Sequence, residues 1–231
     1  MIYLTGDTHG KPDRIREIRR KLRGVLVASD TLIVLGDFGF LFSGSDEERA
    51  ALDGIARMHV SLAFVDGNHE NFPLLASFPE EDWHGGRVHR IRRNVVHLMR
   101  GQLYDIEGRS FFTFGGAYSL DRPWRTPGRS WWPEEMPSEA EYETARRTLA
   151  ACGHRVDFIL THTAPEETMR HYHPTHPAER PLNAFLEWVA GSTDYGHWYI
   201  GHFHRDEALW RRQTVVYQDV VGVDGKKEER T

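Results

Sequence analysis

The first 65 residues alternate short apolar runs with amphipathic stretches, and this rhythm constrains the fold more than any other feature of the chain. Apolar runs occupy residues 2–5, 31–35 and 61–65, whereas residues 13–23 and 45–58 place their apolar side chains at helical spacing. Strands that alternate with helices in this way form a parallel sheet with crossover helices. The N-terminal part of the chain therefore predicts an α/β fold.

The pattern changes beyond residue 78, where short segments are separated by polar or glycine-containing turns. These segments predict an antiparallel meander, and they cover residues 87–91, 95–98, 102–106 and 110–114. Residues 117–137 then form an insertion rich in tryptophan, arginine and proline. Its prolines exclude a continuous helix, so we expect an ordered loop or lid.

The second half of the chain returns to alternating helices and strands. Ser138 and Glu141 have the spacing of a capping box, which predicts a helix over residues 138–151. We expect residues 170–180 to be irregular. The remaining predictions are strands at 156–160, 195–201, 207–211 and 214–219 and a helix at 181–190. We expect a single domain over residues 1–223, followed by a charged, frayed tail at 224–231.

Composition narrows the classes of partner. The formal net charge of −5 offers no electrostatic basis for stable nucleic-acid binding. No run approaches the roughly 20 apolar residues of a membrane span, and the first residues lack the pattern of a signal peptide. The single cysteine, Cys152, excludes an intrachain disulfide and a thiolate metal cluster. We therefore expect a cytoplasmic protein with no membrane contact, whose oligomeric state the sequence leaves open.

Five short polar segments, most of them directly after an apolar run, contain side chains that bind metals. They supply two aspartates, one asparagine and five histidines, namely Asp7, His9, Asp37, Asn68, His69, His162, His202 and His204. Parallel strands place such residues together, because functional sites form at the carboxyl ends of the strands. Carboxylate, amide and imidazole groups without thiolate suit Mn²⁺, Fe or Zn²⁺.

The order of these segments resembles the calcineurin-like metallophosphoesterase superfamily. That pattern runs Asp-x-His, Gly-Asp, Gly-Asn-His, a later His and Gly-His-x-His, and all five blocks are present between residues 7 and 204. The resemblance implies a four-layer α-β-β-α sandwich of two mixed sheets and a site for two divalent metal ions. It further implies that Asp7, His9 and His204 bind one ion, that Asn68, His162 and His202 bind the other, and that Asp37 bridges them.

The chemistry implied by the resemblance is hydrolysis of a phosphomonoester or phosphodiester by metal-activated hydroxide. Two divalent ions about 3.5–4 Å apart can clamp a phosphoryl group and lower the pKa of bound water. A carboxylate such as Asp37 fixes the spacing between the ions. By resemblance His69 is the acid beside the metals, and an imidazole with an ordinary pKa near 6.5 suits proton donation to the leaving oxygen.

Two departures from the protein serine/threonine phosphatases bear on the substrate. Their Gly-Asp block continues with Asp-Arg, whereas here Asp37 is followed by Phe38-Gly39-Phe40. They carry an arginine before Gly-Asn-His-Glu, where this chain has Asp66. These differences favour a small-molecule or nucleotide substrate. A phosphoprotein phosphatase, a nuclease and a non-catalytic binding scaffold of the same fold are the alternatives.

Phosphate-binding arginines can instead come from the insertion. Arg122, Arg125 and Arg129 are interleaved there with Trp124, Trp131 and Trp132. Guanidinium groups bind phosphate bidentately, and indoles stack on planar groups. The insertion is therefore predicted to help bind substrate, and the alternative is a packed surface loop.

A second histidine group lies at residues 171–176, with His171, His173 and His176 around a proline. It can be interpreted as a third metal cluster. We favour a proline-rich loop at the rim of the cleft, because these residues fall outside the pattern of the five segments.

Overall fold

The computed structural model describes residues 1–223, so the predicted tail at 224–231 lies outside the described residues. The strands in chain order are β1 (Ile2–Thr5), β2 (Thr31–Leu35), β3 (Ser61–Val65), β4 (Glu80–Trp83), β5 (Gly86–Arg92), β6 (Val95–Leu98), β7 (Gln102–Ile106), β8 (Arg109–Phe114), β9 (Arg155–Thr161), β10 (Asp194–Ile200), β11 (Glu207–Ala208), β12 (Gln213–Val215) and β13 (Val220–Gly222). The helices are α1 (Pro12–Lys21), α2 (Asp46–Ala56), α3 (Phe72–Ala76), α4 (Glu139–Ala151), α5 (Glu166–Tyr172) and α6 (Arg180–Ser192).

The strands form two mixed sheets. The first has the order β13-β1-β2-β3-β6-β5-β4, and the second has the order β11-β12-β10-β9-β8-β7. In the first sheet β1, β2, β3 and β6 are mutually parallel, and in the second β8, β9, β10 and β12 are parallel. Each sheet thus has a parallel centre whose strand ends point to one edge.

Three apolar layers hold these elements together. In β2, Leu32 and Val34 pack with α1 and α2, while Ile33 and Leu35 pack into the layer shared by the two sheets. The outer face of the second sheet packs on α4 and α6, for example through Trp198. Because the central strands are buried on both faces, their sequences are continuous apolar runs. The order helix, sheet, sheet, helix is the predicted four-layer α-β-β-α sandwich.

Local sequence signals set most element boundaries. The first three strands have the predicted bounds. Helix α2 begins after Ser45, whose side chain accepts a hydrogen bond from the Glu48 N–H. Helix α4 begins with the predicted capping box of Ser138 and Glu141. In each case a polar side chain pairs with backbone groups that the first helical turn leaves without partners.

The prediction of one antiparallel meander over residues 87–114 was wrong. Strands β5 and β6 form an antiparallel pair in the first sheet, whereas β7 and β8 form one in the second. The chain changes sheets at residues 99–101, where Gly101 has φ of +72°. Alternating polarity identifies strands but carries no information on their partners, and here β6 pairs in parallel with β3 instead of with β7.

Four short elements, α3, β4, α5 and β13, were also missed. Strand β4 has the polar sequence EEDW and lies at the sheet edge, so it lacks the apolar pattern of a buried strand. Helix α5 overlaps the segment predicted as irregular, because only Thr168 and Met169 of its residues are buried. The insertion agrees with expectation, since it contains only two 3-10 helices, Arg122–Trp124 and Pro133–Glu135. Over residues 1–223, no helix combines the length and apolar character needed to cross a membrane.

Candidate metal centre

The ends of five parallel strands converge on one site. Asp7, Asp37 and Asn68 follow β1, β2 and β3, which are neighbours in the first sheet. His162 and His202 follow β9 and β10, which are neighbours in the second sheet. The site therefore lies where the carboxyl edges of both sheets meet, and each sheet contributes part of it.

Asp7 lies beside two histidines. Its Oδ2 atom is 3.0 Å from His204 Nε2 and 3.8 Å from His9 Nε2, and these two nitrogens are 2.9 Å apart. The Asp7 side chain is only 1% exposed, and imidazole nitrogens are the polar groups beside its Oδ2 atom. A buried carboxylate is costly unless positive charge or hydrogen bonds compensate it, and a metal cation would supply that charge. This is the arrangement expected of a metal ligand group.

His162 is the centre of a second group. Its Nδ1 atom lies 2.8 Å from the Leu35 carbonyl, and its Nε2 atom lies 3.2 Å from Asn68 Oδ1 and 3.4 Å from Asp37 Oδ1. An Nδ1–H that donates to a carbonyl leaves Nε2 free to bind a metal. The His202 ring packs at 4.9 Å from the His162 ring.

The Asp37 carboxylate lies between the two groups. Its Oδ1 atom faces His162, and its Oδ2 atom is 3.7 Å from His9 Nδ1 and 4.0 Å from His69 Nε2. The His69 N–H donates to Oδ1 at 2.8 Å. One carboxylate thus presents an oxygen to each group, which is the position that a bridging ligand requires.

Four residues of the site have a left-handed backbone. The φ angles of His9, Asp37, His202 and His204 are +48°, +45°, +69° and +51°. Residues other than glycine rarely adopt this conformation, and each instance costs of order 1–3 kcal/mol. Such strain concentrates at functional sites, because the surrounding structure holds side chains where the chemistry needs them.

Glycines allow the loops to approach one another. A Cβ atom at Gly67 would overlap the Asp37 carboxylate, and one at Gly36, where φ is +94°, would overlap the His162 ring. Gly36 and Gly67, which precede Asp37 and Asn68, are therefore required by close packing at the site.

The two buried carboxylates stabilise positive charge. Burial alone would lower the pKa of His162, but the charges of Asp37 and Asp7 raise it to about 10. Burial opposes ionisation of Asp37, yet the neighbouring histidines, chiefly His162, hold its pKa below the usual range. Burial lowers the pKa of His9, and burial together with the charge of His162 lowers that of His202 to about 3. Metal binding needs neutral imidazoles and ionised carboxylates, and a divalent cation would supply the positive charge that the carboxylates favour.

Three sets of donor atoms are close enough together to hold an ion, since the atoms of each set lie within 4.8 Å of one another. The sets are Asp7, His9 and His204; His9, Asp37 and His69; and Asp7, Asp37 and His162. Asp37 and Asp7 each belong to two of them. These nitrogen and oxygen donors could therefore hold metal ions.

A cavity of about 320 Å³ opens beside the metal ligands and is lined by His9, Gly10, Gly39, Phe42, Glu48 and His69. The His69 side chain is 27% exposed, unlike the buried Asp37 behind it. This cavity is large enough for part of a small substrate. His69 thus lies between the buried Asp37 carboxylate and the open space of the cavity.

The three arginines of the insertion have different positions. Arg125 contacts the site, with Nη1 3.0 Å from His69 Nδ1 and Nη2 3.2 Å from His69 Nε2. Arg122 instead pairs with the buried Glu135, 2.7 Å from Nη2 to Oε1. Arg129 is exposed, and its backbone N–H donates to Thr126. Of the three arginines predicted to contact substrate, the structure brings only Arg125 to the candidate site, where it contacts His69.

The tryptophans of the insertion also differ in exposure and in the residues they contact. Trp124 is 85% exposed, whereas Trp132 is buried and packs its ring edge-on at 5.3 Å from Phe42. Trp131 lies against the Arg122 guanidinium. The insertion is therefore partly exposed, and its buried Trp132 contacts Phe42, which lines the cavity.

The histidines at 171–176 take part in none of the donor sets found in residues 1–223. His171 Nε2 is 3.5 Å from Glu207 Oε1, and the His176 ring stacks on Tyr118 at 4.4 Å. The neighbouring Tyr172 ring stacks at 4.2 Å on Phe203, which lies between His202 and His204. The segment thus supports the loop that carries two of the candidate ligands.

Ser119 and Glu135, which were not identified from the sequence, form hydrogen bonds on the side of Asn68 away from His162. Asn68 Nδ2 donates to Ser119 Oγ at 3.0 Å, and Ser119 Oγ donates to Glu135 Oε2 at 2.8 Å. Ser119 is 51 positions from Asn68, and no spacing or local motif connects them. Only the fold brings them together.

No protein-family model matches the chain, and no curated protein matches it. Among solved structures, the chain is similar to a candidate 5′-nucleotidase from Staphylococcus aureus in complex with α-ketoglutarate, with a TM-score of 0.53 and 15% identity. The alignment covers 98% of this chain and 52% of that one, so the chain spans about half the length of that protein. At this identity the likeness is one of fold.

Proposed function

We propose that this chain is a metal-dependent phosphoesterase of the calcineurin-like type, which hydrolyses a phosphomonoester or phosphodiester of a small molecule or nucleotide. The observation that carries the proposal is the position of Asp37 between two groups of metal-binding side chains. The structural neighbour is described as a candidate 5′-nucleotidase, which agrees with this reaction class.

Asp7, His9 and His204 would hold one divalent ion, and Asn68, His162 and His202 the other, with Asp37 shared. Manganese, iron and zinc all suit this donor set. When bound, a pair of such ions neutralises charge on a phosphoryl group and lowers the pKa of water. The Leu35 carbonyl keeps His162 Nε2 directed at the site, and the backbone of His69 keeps Asp37 Oδ1 in place.

His69 would donate a proton to the leaving oxygen. Its ring is partly exposed beside the cavity and lies 4.0 Å from the Asp37 carboxylate. Arg125 lies against the same ring, so its guanidinium would contact the phosphate next to the scissile bond. The cavity lined by Phe42 would receive the leaving group.

The environment of Asp66 supports a substrate other than a phosphoprotein. The Asp66 carboxylate is buried and pairs with Arg100, with Nε at 2.9 Å, and with His97 Nε2 at 3.1 Å. Where protein phosphatases use an arginine, this chain therefore has a buried ion pair between Asp66 and Arg100. Arg125 of the insertion supplies the guanidinium instead, from a different direction.

Hydrolysis of p-nitrophenyl phosphate and bis-p-nitrophenyl phosphate with added Mn²⁺ tests the proposal. We expect turnover of at least one ester, its loss with chelator, and its loss in Asp37→Asn together with lower metal content. Asp53→Asn is the matched control, because Asp53 forms an exposed ion pair with Arg92. Bound metal without turnover of either ester would favour the binding scaffold.

A screen of phosphorylated metabolites, cyclic nucleotides, dinucleotides and phosphopeptides would then define the substrate. We expect the highest kcat/KM among nucleotides or other small phosphoesters. A preference for phosphopeptides would contradict this part of the proposal and support the protein phosphatase alternative.

A further inference from the structure

A chain of buried hydrogen bonds connects the insertion to Asn68. The Asn68 side chain, 5% exposed, has Oδ1 facing His162 and Nδ2 facing Ser119. Ser119, 1% exposed, contacts Glu135 twice, through its N–H to Oε1 at 2.6 Å and its hydroxyl to Oε2 at 2.8 Å. Glu135 is fully buried in the insertion.

The Glu135 carboxylate is held by a cation. Arg122 Nε donates to Oε1 at 2.9 Å, and the Arg122 guanidinium packs between the rings of Tyr118 and Trp131 at 4.0 and 4.1 Å. Burial raises the pKa of Glu135 above its ordinary value, while the Ser119 hydrogen bonds and the Arg122 guanidinium oppose this rise and favour the ionised carboxylate. Arg122 therefore acts through Glu135, which explains why it does not reach the cavity.

The direction of the hydrogen bonds matters for Asn68. An ionised carboxylate only accepts, so the single hydroxyl hydrogen of Ser119 points to Glu135. The Ser119 oxygen can then only accept from Asn68, and the amide must present its NH₂ group to Ser119. Its carbonyl oxygen must consequently face His162 and the candidate metal position. Without this constraint, the amide could turn and place its nitrogen, which binds no metal, at the site.

We infer that Ser119 and Glu135 are positioning residues that orient the amide of Asn68 with its oxygen toward the metal, so that the insertion is part of the metal site. This inference rests on the proposed function, because it requires that Asn68 binds a metal ion. Partners behind a metal ligand typically change metal affinity by 10–100-fold when removed.

Titration of the metal-free protein with Mn²⁺ by isothermal calorimetry tests the inference. We expect Ser119→Ala to lower the affinity of one of two sites by about 10–100-fold and to leave the other unchanged. Glu135→Gln should lower the same affinity, and thermal unfolding would show that both variants fold. The matched control is Ser138→Ala, since Ser138 Oγ donates to Glu141 at the same 2.8 Å but lies at the helix cap of α4.

A double-mutant cycle separates orientation from general destabilisation. Asn68→Asp has two equivalent oxygens, so it needs no orienting partner. In that background, Ser119→Ala should change Mn²⁺ affinity by less than about threefold. An equal loss in both backgrounds, or wild-type affinity in Ser119→Ala, would overturn the inference while leaving the phosphoesterase proposal intact. Absence of Mn²⁺ binding by the wild-type protein would overturn both.

Discussion

His69 and Asp37 show how neighbouring residues acquire different roles at one site. Asp37 is 2% exposed and faces both donor groups, while His69 extends to the cavity. The His69 backbone N–H donates to the Asp37 carboxylate, so the loop after β3 positions both residues together. These positions predict that His69 can be replaced without loss of bound metal, whereas Asp37 cannot.

We therefore expect His69→Ala to retain wild-type metal content and to lose turnover by about 100-fold or more, because a positioned proton donor contributes about 10²–10⁴-fold. Metal analysis and p-nitrophenyl phosphate hydrolysis measure the two quantities separately. His84→Ala is the control, since His84 lies away from the metal ligands and contacts the Asp105 carbonyl. Unchanged turnover would remove His69 from the mechanism.

The insertion arginines give a second prediction at the residue scale. Arg125→Ala should raise KM about tenfold, because a charged hydrogen bond contributes about 1.5 kcal/mol and each 1.4 kcal/mol is a tenfold change in affinity. Arg129→Ala should leave KM unchanged, since Arg129 is exposed away from the ligands described above. Steady-state kinetics on the best substrate from the screen would measure KM for both variants. Equal effects of the two substitutions would contradict the assignment.

Among the elements, the short helix α5 supports the loop that carries His202 and His204. Tyr172 at its end stacks on Phe203, and its hydroxyl donates to Glu207 at 3.0 Å. His202 and His204 flank Phe203, and both have a left-handed backbone. A rigid contact at Phe203 therefore opposes relaxation of the strained loop that carries two candidate ligands.

Replacing the ring of Phe203 should loosen this loop. We expect Phe203→Leu to lower Mn²⁺ affinity about three- to tenfold, because an aromatic pair is worth about 0.5–1.5 kcal/mol beyond its buried area. Phe158→Leu is the matched control, since Phe158 stacks on Phe111 at 4.9 Å between the sheets and far from the loop in sequence. Calorimetric titration would show a loss confined to Phe203→Leu, and comparable losses in both variants would argue against the role of α5.

For the whole molecule, stability should depend on pH through a histidine pair outside the metal ligands. His89, 8% exposed, has Nδ1 at 3.0 Å from His97 Nδ1. Burial and the charge of His97 lower the pKa of His89 to about 4. Between pH 6.5 and 4 the unfolded chain therefore binds a proton that the folded chain does not, and the folded state loses stability as the pH falls.

The size of this effect follows from the two pKa values. From pH 7 to pH 5, the His89 contribution falls by about 2 kcal/mol, given an unfolded pKa of about 6.5. Urea unfolding of the metal-free protein at both pH values measures the free energy of unfolding. Between pH 7 and pH 5 this free energy should fall less in His89→Gln than in the wild-type protein. His59→Gln replaces an exposed histidine, so its free energy of unfolding should fall by as much as that of the wild-type protein. An equal pH dependence in all three proteins would contradict the assignment.

The amino-acid sequence by itself determined most of the elements and the candidate donors. Continuous apolar runs identify strands buried on both faces, and the bounds of β1, β2 and β3 follow from them. The polar segments at the strand ends identify the candidate ligands, and parallel strands predict their convergence. The capping box at Ser138 predicts the start of α4. All of these signals are local, because they depend on residues within a few positions of one another.

The tertiary structure alone decided which distant groups meet. It distributed the predicted meander between two sheets, because strand partners depend on packing of whole faces rather than on local alternation. It separated Arg125, which contacts His69, from Arg122, which pairs with Glu135. It also placed Ser119 against Asn68, 51 positions away. Local sequence carries no record of such contacts, since the chain forms them only when the two sheets and the insertion pack together.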